Sequence, residues 1–410
     1  MSRVSLRWVL VLLAMSVSPA AVRAAEPART SETAARTAAP NAAVIYFHAF
    51  AAIPTLSAEE TKRLEAATGS INSPLGDELK PIVARYRVAL HELHRASEVR
   101  PCDWQLDYAA GPNLLLSHLQ KARELARVAL LRARMRFAEG ERQAAVGDVL
   151  AVFKLARDCG SSPVLIAYLV DIAIEKLATD VLAAHLPLLK TDELDAVEKG
   201  LGALPESSDM AAAMAFEKWM FGDWLSRQID EEAAKLKPNG TGGDLLLSLG
   251  RSTGLEQDLK PKEGDADGKR KADLLLALSV EDVRESLGRL QLDYAELQRI
   301  VALPVEKRTA ALDAFESKMK AASRPQTRED ALRYFSGALL PSLRNVILRD
   351  EQLQIRRQLI VLAIRVQRDG ADKLPAIAGK PVEYHKTATG FELRCNSSAG
   401  VETIVVGRGT

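Results

Sequence analysis

The residues best placed to do chemistry form a glycine-rich motif with a central serine. Residues 250–254 read G-R-S-T-G and fit G-x-S-x-G, the pattern in which a hydrolase exposes its nucleophile on a strained turn between a strand and a helix. Such a serine also needs a histidine base, and only His385 follows Ser252 in the chain. No alternation of strands and helices surrounds the motif. We therefore interpret it as an ordinary glycine-rich loop and predict no catalytic residue.

Metal and cofactor motifs are incomplete. His91 and His94 are three apart and could share a helix face, but a zinc protease needs H-E-x-x-H, and residues 91–94 read H-E-L-H. Residues 265–268 read D-A-D-G like the start of a calcium loop, yet its twelfth position would be Leu276 instead of glutamate. No phosphate-binding or dinucleotide-binding glycine motif occurs in the right setting. We predict no metal ligand and no cofactor.

The chain contains three cysteines, Cys102, Cys159 and Cys395. In an oxidising compartment this odd number allows one disulfide and one free thiol. Cys102 and Cys159 both lie near predicted helix ends in one region and form the pairing to test first. The alternative, three buried or unpaired thiols, stays open.

Aromatic residues gather on one predicted long helix. Trp219 and Trp224 stand beside Met214, Met220 and Phe221. If this face were exposed it would be a surface for a partner. We favour a buried core face.

Composition favours a helical protein. Hydrophobic residues make up 47% of 410 residues and aromatic residues only 5%, while alanine and leucine, which lose little side-chain entropy in helices, are abundant. The formal net charge is +1, from 55 basic and 54 acidic residues. A balance this close to neutral gives no basic surface for nucleic acid, so we predict no nucleic-acid partner.

The N-terminus has the three parts of an export signal. Arg3 and Arg7 precede a short apolar run, and small residues follow up to Ala24. A run of about ten residues is too short to span a bilayer, so we predict cleavage after residue 24; an uncleaved anchor is the alternative. The signal predicts export to the periplasm or cell envelope, or secretion. After cleavage we expect no transmembrane segment.

The rest of the chain divides by pattern. We predict a flexible linker over 25–40, an N-terminal helical domain over 41–237, a loop or boundary over 238–273, a second helical region over 274–370, and a small β tail over 371–410. Within the first domain, Ser57 and Glu60 form a capping box, and Gly140 is expected to end a long helix.

The period of the pattern changes after Gly370. Residues 382–385, 391–395 and 401–406 read as strands, with a turn over 387–390. The predicted fold class is therefore mainly α: an antiparallel α-hairpin array or irregular helical bundle, weakly tetratricopeptide-like around Gly140 and Ala145, with a small C-terminal β-hairpin or three-strand sheet.

Several stretches carry a resemblance. The chain resembles a group of uncharacterised exported helical proteins of planctomycete-type bacteria in its leader and over residues 41–50, 102–104, 126–156, 359–368, 380–384 and 390–393. The tail also resembles the soluble end of type II secretion pseudopilins, where a helix leads into a short sheet with a G-x-P-x-x-Y and G-F-x-L rhythm. That second resemblance implies a borrowed small fold. None of the shared stretches is a catalytic motif.

These observations predict a function without a defined reaction. We expect a non-enzymatic helical scaffold or protein-interaction module of the cell envelope, with a protein partner. An envelope hydrolase with an unrecognised site and a secretion- or pilus-associated protein are the alternatives. A deep pocket with converging polar groups would favour the hydrolase, and a pseudopilin-like helix and sheet would favour the third.

Overall fold

Helices follow one another along the described chain, and a small sheet ends it. The structure, a computed structural model, describes residues 40–206, 209–253, 256–321, 323–340, 344–372, 374–398 and 400–407. The predicted leader and the predicted linker up to residue 39 lie outside these ranges. The mainly α architecture with a C-terminal three-strand sheet confirms the predicted fold class.

The α-helices are α1 (Ala42–Ala51), α2 (Ala58–Thr68), α3 (Leu79–Arg85), α4 (Arg87–Ser97), α5 (Ser117–Glu139), α6 (Arg142–Gly160), α7 (Leu165–His185), α8 (Thr191–Gly202), α9 (Met210–Ala234), α10 (Gly242–Thr253), α11 (Glu256–Leu259), α12 (Ala266–Leu276), α13 (Val280–Ala302), α14 (Val305–Ala321), α15 (Arg328–Ala338) and α16 (Arg344–Asp369). Short 3₁₀ segments cover Tyr108–Asn113 and Leu186–Leu188. None of the described helices is both long and apolar enough to cross a membrane.

Two predicted helix ends are confirmed at the level of single hydrogen bonds. The Glu60 N–H group donates to Ser57 Oγ (3.2 Å) and the Ser57 N–H group donates to the Glu60 carboxylate (2.7 Å), which is the capping box at the start of α2. Gly140 ends α5 in the left-handed region, with φ of +83°, and the Glu141 N–H group donates back to the Arg136 carbonyl (2.8 Å).

Two predicted segments differ in detail. The single helix expected from residue 78 to residue 96 is two helices, because the backbone leaves the helical region at Tyr86, between α3 and α4. The segment expected to be a loop or boundary over 238–273 contains α10, α11 and most of α12. Asp265, one of its aspartates, caps α12 with its side chain.

Successive helices α5, α6 and α7 pack side by side, as an α-hairpin array requires. Their buried faces form one core with α1, α4 and the last helix, α16, whose Ile355 and Leu359 are buried there. A second core lies among α9, α10, α13 and α15, and a third joins α7, α9, α13 and α16. Residues from Asn41 onward form one unit.

The C-terminal sheet has three antiparallel strands, β1 (Val382–Lys386), β2 (Phe391–Ser397) and β3 (Gly400–Val406), in the order β1-β2-β3. Leu393 and Ile404 are paired neighbours, and both are buried towards α7 and α16. The predicted turn before β2 is present. Gly390 is required in this turn, because a Cβ atom there would lie 2.1 Å from the Val406 carbonyl oxygen.

Candidate functional site

The glycine-rich motif does not form the strand–turn–helix of a hydrolase. Residues 250–253 are the end of helix α10 and not the predicted loop, and Gly254 lies outside the described residues. Leu245 and Leu249, which precede the motif, are buried helix residues of the second core. His385 lies on β1, mostly exposed, with Nε2 3.4 Å from Glu383.

The two helix histidines have different surroundings. His91 is exposed, whereas His94 Nε2 lies 2.7 Å from the buried Asp148 carboxylate. Arg132 and Arg136 also donate to Asp148. Burial raises the pKa of Asp148, but hydrogen bonds from His94 and Arg132 outweigh it and hold the pKa below its usual value. Within the described ranges, no three His, Cys, Asp or Glu side chains are grouped as a metal site.

Cys102 and Cys159 lie in one region, as expected, and each is a free thiol in the structure. The connector that carries Cys102 rests on the end of α6: Ser161 Oγ donates to the Cys102 carbonyl (3.2 Å), and Trp104 Nε1 donates to the Asp158 carbonyl (2.7 Å). Burial, followed by the carboxylates of Asp158 and Asp171, raises the pKa of Cys159 well above its usual range. The disulfide between the two stays a prediction.

The aromatic face of α9 is divided between core and surface. Trp224 is buried in the second core, as expected, but Trp219 is 59% exposed. Trp219 contacts Phe216, whose ring meets Tyr108 edge-on at 4.8 Å. This row of rings attaches the 3₁₀ segment to α9, so the expectation of a buried face holds for only one of the two tryptophans.

A group of buried charges joins α6, α7 and α16. Asp171 and Glu175, one turn apart on α7, are almost fully buried. Arg357 Nε donates to Glu175 Oε2 (2.7 Å), Arg357 Nη2 lies 3.5 Å from Asp171 Oδ2, and Arg157 forms an ion pair with Glu175. We call these four residues the charged core.

Neighbouring groups extend the charged core and set its protonation. The Tyr168 hydroxyl, one turn earlier on α7, donates to Asp350 on α16. Burial, followed by the Glu175 carboxylate, raises the pKa of Asp171 well above its usual range, so this carboxyl group retains a proton at higher pH than a surface aspartate. A cavity of about 300 Å³ lies beside Glu175 and Arg357, but the carboxylate and guanidinium groups there already contact one another.

A second cavity, of about 290 Å³, lies where the 3₁₀ segment meets α7, α9 and α13. Apolar side chains make up most of its wall, among them Met220 and Phe221. Two polar side chains interrupt that wall: the Glu217 carboxyl group on α9 and the Tyr294 phenol on α13. We call this cavity the Glu217 cleft.

The protein uses only part of the hydrogen-bonding capacity of these two groups. The Leu165 N–H group, at the start of α7, donates to Glu217 Oε1 (3.0 Å). Glu217 Oε2 and the Tyr294 hydroxyl have no hydrogen-bond partner among the described residues, and neither atom is sealed from the cleft. Tyr294 is only 2% exposed. Glu217 is half-buried. Buried polar groups normally have partners, so the Tyr294 hydroxyl is the unusual one of the two.

The charge on Glu217 is poorly compensated. Burial raises the pKa of Glu217, and the hydrogen bond from Leu165 offsets this only in part. Burial, followed by the nearby Glu217 carboxylate, raises the pKa of Tyr294, so its phenol keeps its proton at neutral pH. The cleft therefore presents a carboxyl oxygen and a neutral hydroxyl in apolar surroundings.

A glycine shapes one wall of the cleft. Gly111 has φ of +57° and ψ of −128°, a conformation that other residues rarely adopt. A Cβ atom at this position would lie 2.3 Å from Cγ of Trp224. The 3₁₀ segment can therefore approach α9 closely only because residue 111 is glycine.

The sequence interpretation did not identify either polar site. A usable signal for Glu217 is present: Met214, Met220 and Phe221 lie three or four positions from it, so a carboxylate interrupts an apolar helix face. Asp171 interrupts an apolar run in the same way. No family model matches the chain, and the comparisons with curated proteins and with solved structures also found no match.

Proposed function

We propose that this chain is a non-enzymatic helical interaction module of the cell envelope and that it binds its protein partner at the Glu217 cleft. The observation that supports the site is the pair of polar groups, Glu217 and Tyr294, that line the cleft without being fully used by the fold. Burying polar groups without partners costs stability, and this cost is commonly retained where a site binds something.

The rim of the cleft supports binding of a polypeptide. Leu115 is 82% exposed and stands between Leu114 and Leu116, which both line the cavity. Ile166, which also lines it, is 47% exposed. Exposed apolar side chains around a concave site are typical of protein interfaces.

The two alternative functions have less support. Among the described residues that line the cleft there is no serine, cysteine or histidine, so it lacks the serine–histidine or cysteine–histidine pair that many hydrolases use. A helix followed by a small sheet is present at the C-terminus, as the pilus-associated alternative expects. However, α16 is buried along much of its length within the cores, which leaves little of it to polymerise.

A pull-down from envelope fractions tests the proposal. Leu115→Asp places a charge on the apolar rim and should remove the partner that the wild-type chain retains. Val88→Asp is the matched control, because Val88 is also an exposed apolar residue but lies on α4, away from the cleft. The control variant should retain the partner.

The proposal is wrong if no partner is recovered reproducibly with the wild-type chain. It is also wrong if Leu115→Asp and Val88→Asp retain the same partner equally well, since the interaction would then not involve the cleft.

A further inference from the structure

The chemistry of the Glu217 cleft limits what it can bind. Among the described residues that line it, Glu217 supplies the one carboxyl group and Tyr294 the one phenol, and the others carry no charge. An ionised carboxylate in apolar surroundings is stabilised by an opposite charge placed against it. A cationic group is therefore the ligand that best complements this cavity.

The size of the cleft favours a single side chain. A volume of about 290 Å³ lies just below the range for small-molecule pockets, roughly 300–1,000 Å³. The exposed rim residues are Ile166, which lines the cleft, and Leu115, which lies outside it. Both offer apolar contact area to a polypeptide that crosses the opening of the cleft. One long side chain can then enter while its apolar neighbours remain on the rim.

The number of hydrogen-bond acceptors in the cleft favours lysine over arginine as the cationic side chain that binds there. In the described part of the cleft, two side-chain oxygen acceptors have no protein partner: Glu217 Oε2 and the Tyr294 hydroxyl oxygen. A lysine ammonium group has three N–H donors, so two can be satisfied inside and one at the opening. An arginine guanidinium group has five donors in a rigid plane, and most would be buried without acceptors.

We propose that the Glu217 cleft binds a lysine side chain of a partner polypeptide, with the ammonium group between Glu217 and Tyr294 and apolar residues beside that lysine on Leu115 and Ile166. This inference rests on the proposed function and adds the chemistry of the partner.

Calorimetric titration of the full chain with model peptides tests it. The probe is acetyl-Leu-Lys-Leu-amide, and the same peptide with glutamine or arginine in the middle gives the comparison. We expect the lysine peptide to bind at least about tenfold more tightly than the glutamine peptide, since hydrogen bonds to charged groups are worth more than a factor of ten. The arginine peptide should bind more weakly than the lysine peptide.

Variants locate the interaction. Glu217→Gln should weaken lysine-peptide binding by about tenfold, because it keeps the shape and the bond from Leu165 but removes the charge. Glu231→Gln, an exposed glutamate on the same helix, should leave the affinity unchanged. Free n-butylamine, which is equivalent to the lysine side chain, should bind far more weakly than the peptide. Leu115→Ser should weaken binding of the peptide and leave binding of butylamine unchanged.

The outcomes separate this inference from the proposed function. If the glutamine peptide binds as tightly as the lysine peptide and Leu115→Ser weakens both, the cleft is an interaction site but lysine recognition is wrong. If butylamine binds as tightly as the peptide, the ligand is a free amine and the polypeptide partner is wrong. Equal lysine-peptide affinity in the wild type and Glu217→Gln contradicts the inference. If no peptide binds at millimolar concentration, both proposals are wrong.

Discussion

The charged core and the Glu217 cleft each contain a glutamate that involves helix α7: Glu175 is part of α7, and Glu217 on α9 accepts from the start of α7. The protein surrounds the two carboxylates differently. Glu175 is buried and contacts the guanidinium groups of Arg157 and Arg357. Glu217 contacts a single backbone N–H group, that of Leu165, and its other oxygen has no partner among the described residues. A carboxylate with opposite charges around it supports the fold, whereas one left open to a cavity is available to a ligand.

The largest expected effect is in the charged core. Arg357→Met removes one of the two guanidinium groups and leaves Asp171 and Glu175 buried with Arg157 alone. Loss of one partner from a buried ion pair costs about 3–5 kcal/mol, and we expect a decrease of that size in the free energy of unfolding, measured in urea. Arg365→Met is the control, because the Arg365 side chain is largely exposed and should cost less than about 1 kcal/mol. Equal losses in the two variants would show that the core charges are not structural.

The next largest loss of stability is expected at Gly111, in the wall of the Glu217 cleft. In Gly111→Ala, the alanine must adopt a positive φ, and its Cβ atom clashes with Trp224. We expect the free energy of unfolding to fall by about 3 kcal/mol, because of backbone strain and overpacking together. Gly140→Ala has the backbone strain without the clash, since nothing lies within 4 Å of its Cβ position. It should cost about 1 kcal/mol. Urea unfolding of both variants measures the difference, and similar losses would mean that Gly111 is not needed for close approach.

Removing one tyrosine hydroxyl from each region compares how much the charged core and the Glu217 cleft contribute to stability. Tyr168→Phe removes the donor to Asp350 and should cost about 2 kcal/mol, the value of a hydrogen bond to a charged group. Tyr294→Phe removes a hydroxyl that the described fold does not use, so stability should change by less than about 0.5 kcal/mol. A large loss in Tyr294→Phe would reveal a structural role for that phenol.

Local signals in the sequence predict much of this fold. The capping box at Ser57, the glycine end at Gly140 and the strand pattern around Gly390 each depend on residues a few positions apart, and all three are present. The charged core could not be predicted in this way. Arg357 lies 186 residues from Asp171, and only the packing of α16 on α7 brings the two together.

The Glu217 cleft could be predicted from the sequence only in part. The apolar spacing around Glu217 could have identified a carboxylate on a buried helix face. The hydrogen bond to Glu217 comes from Leu165, and the other polar group of the cleft is Tyr294; these residues belong to two other helices. Sequence patterns can therefore indicate that a polar residue lies on an apolar helix face. They do not show whether the fold supplies a hydrogen-bond partner for it.

The most direct test compares Glu217→Gln with Glu175→Gln by urea unfolding at several pH values. Burial raises the pKa of Glu217, so its favourable contribution to stability is complete below the ordinary value of 4.5 and is lost as the pH rises through the raised value. Glutamine removes this loss and keeps the bond from Leu165. Glu217→Gln should therefore match the wild type near pH 4 and gain about 1 kcal/mol at pH 7.

Glu175→Gln should instead lose about 3 kcal/mol at pH 7, because both arginines of the charged core lose their main partner. We predict this opposite behaviour of the two glutamates if the Glu217 carboxylate is available to a ligand and the Glu175 carboxylate stabilises the fold. A loss of several kcal/mol in Glu217→Gln at pH 7 would contradict the account, since the Glu217 carboxylate would then be a structural group.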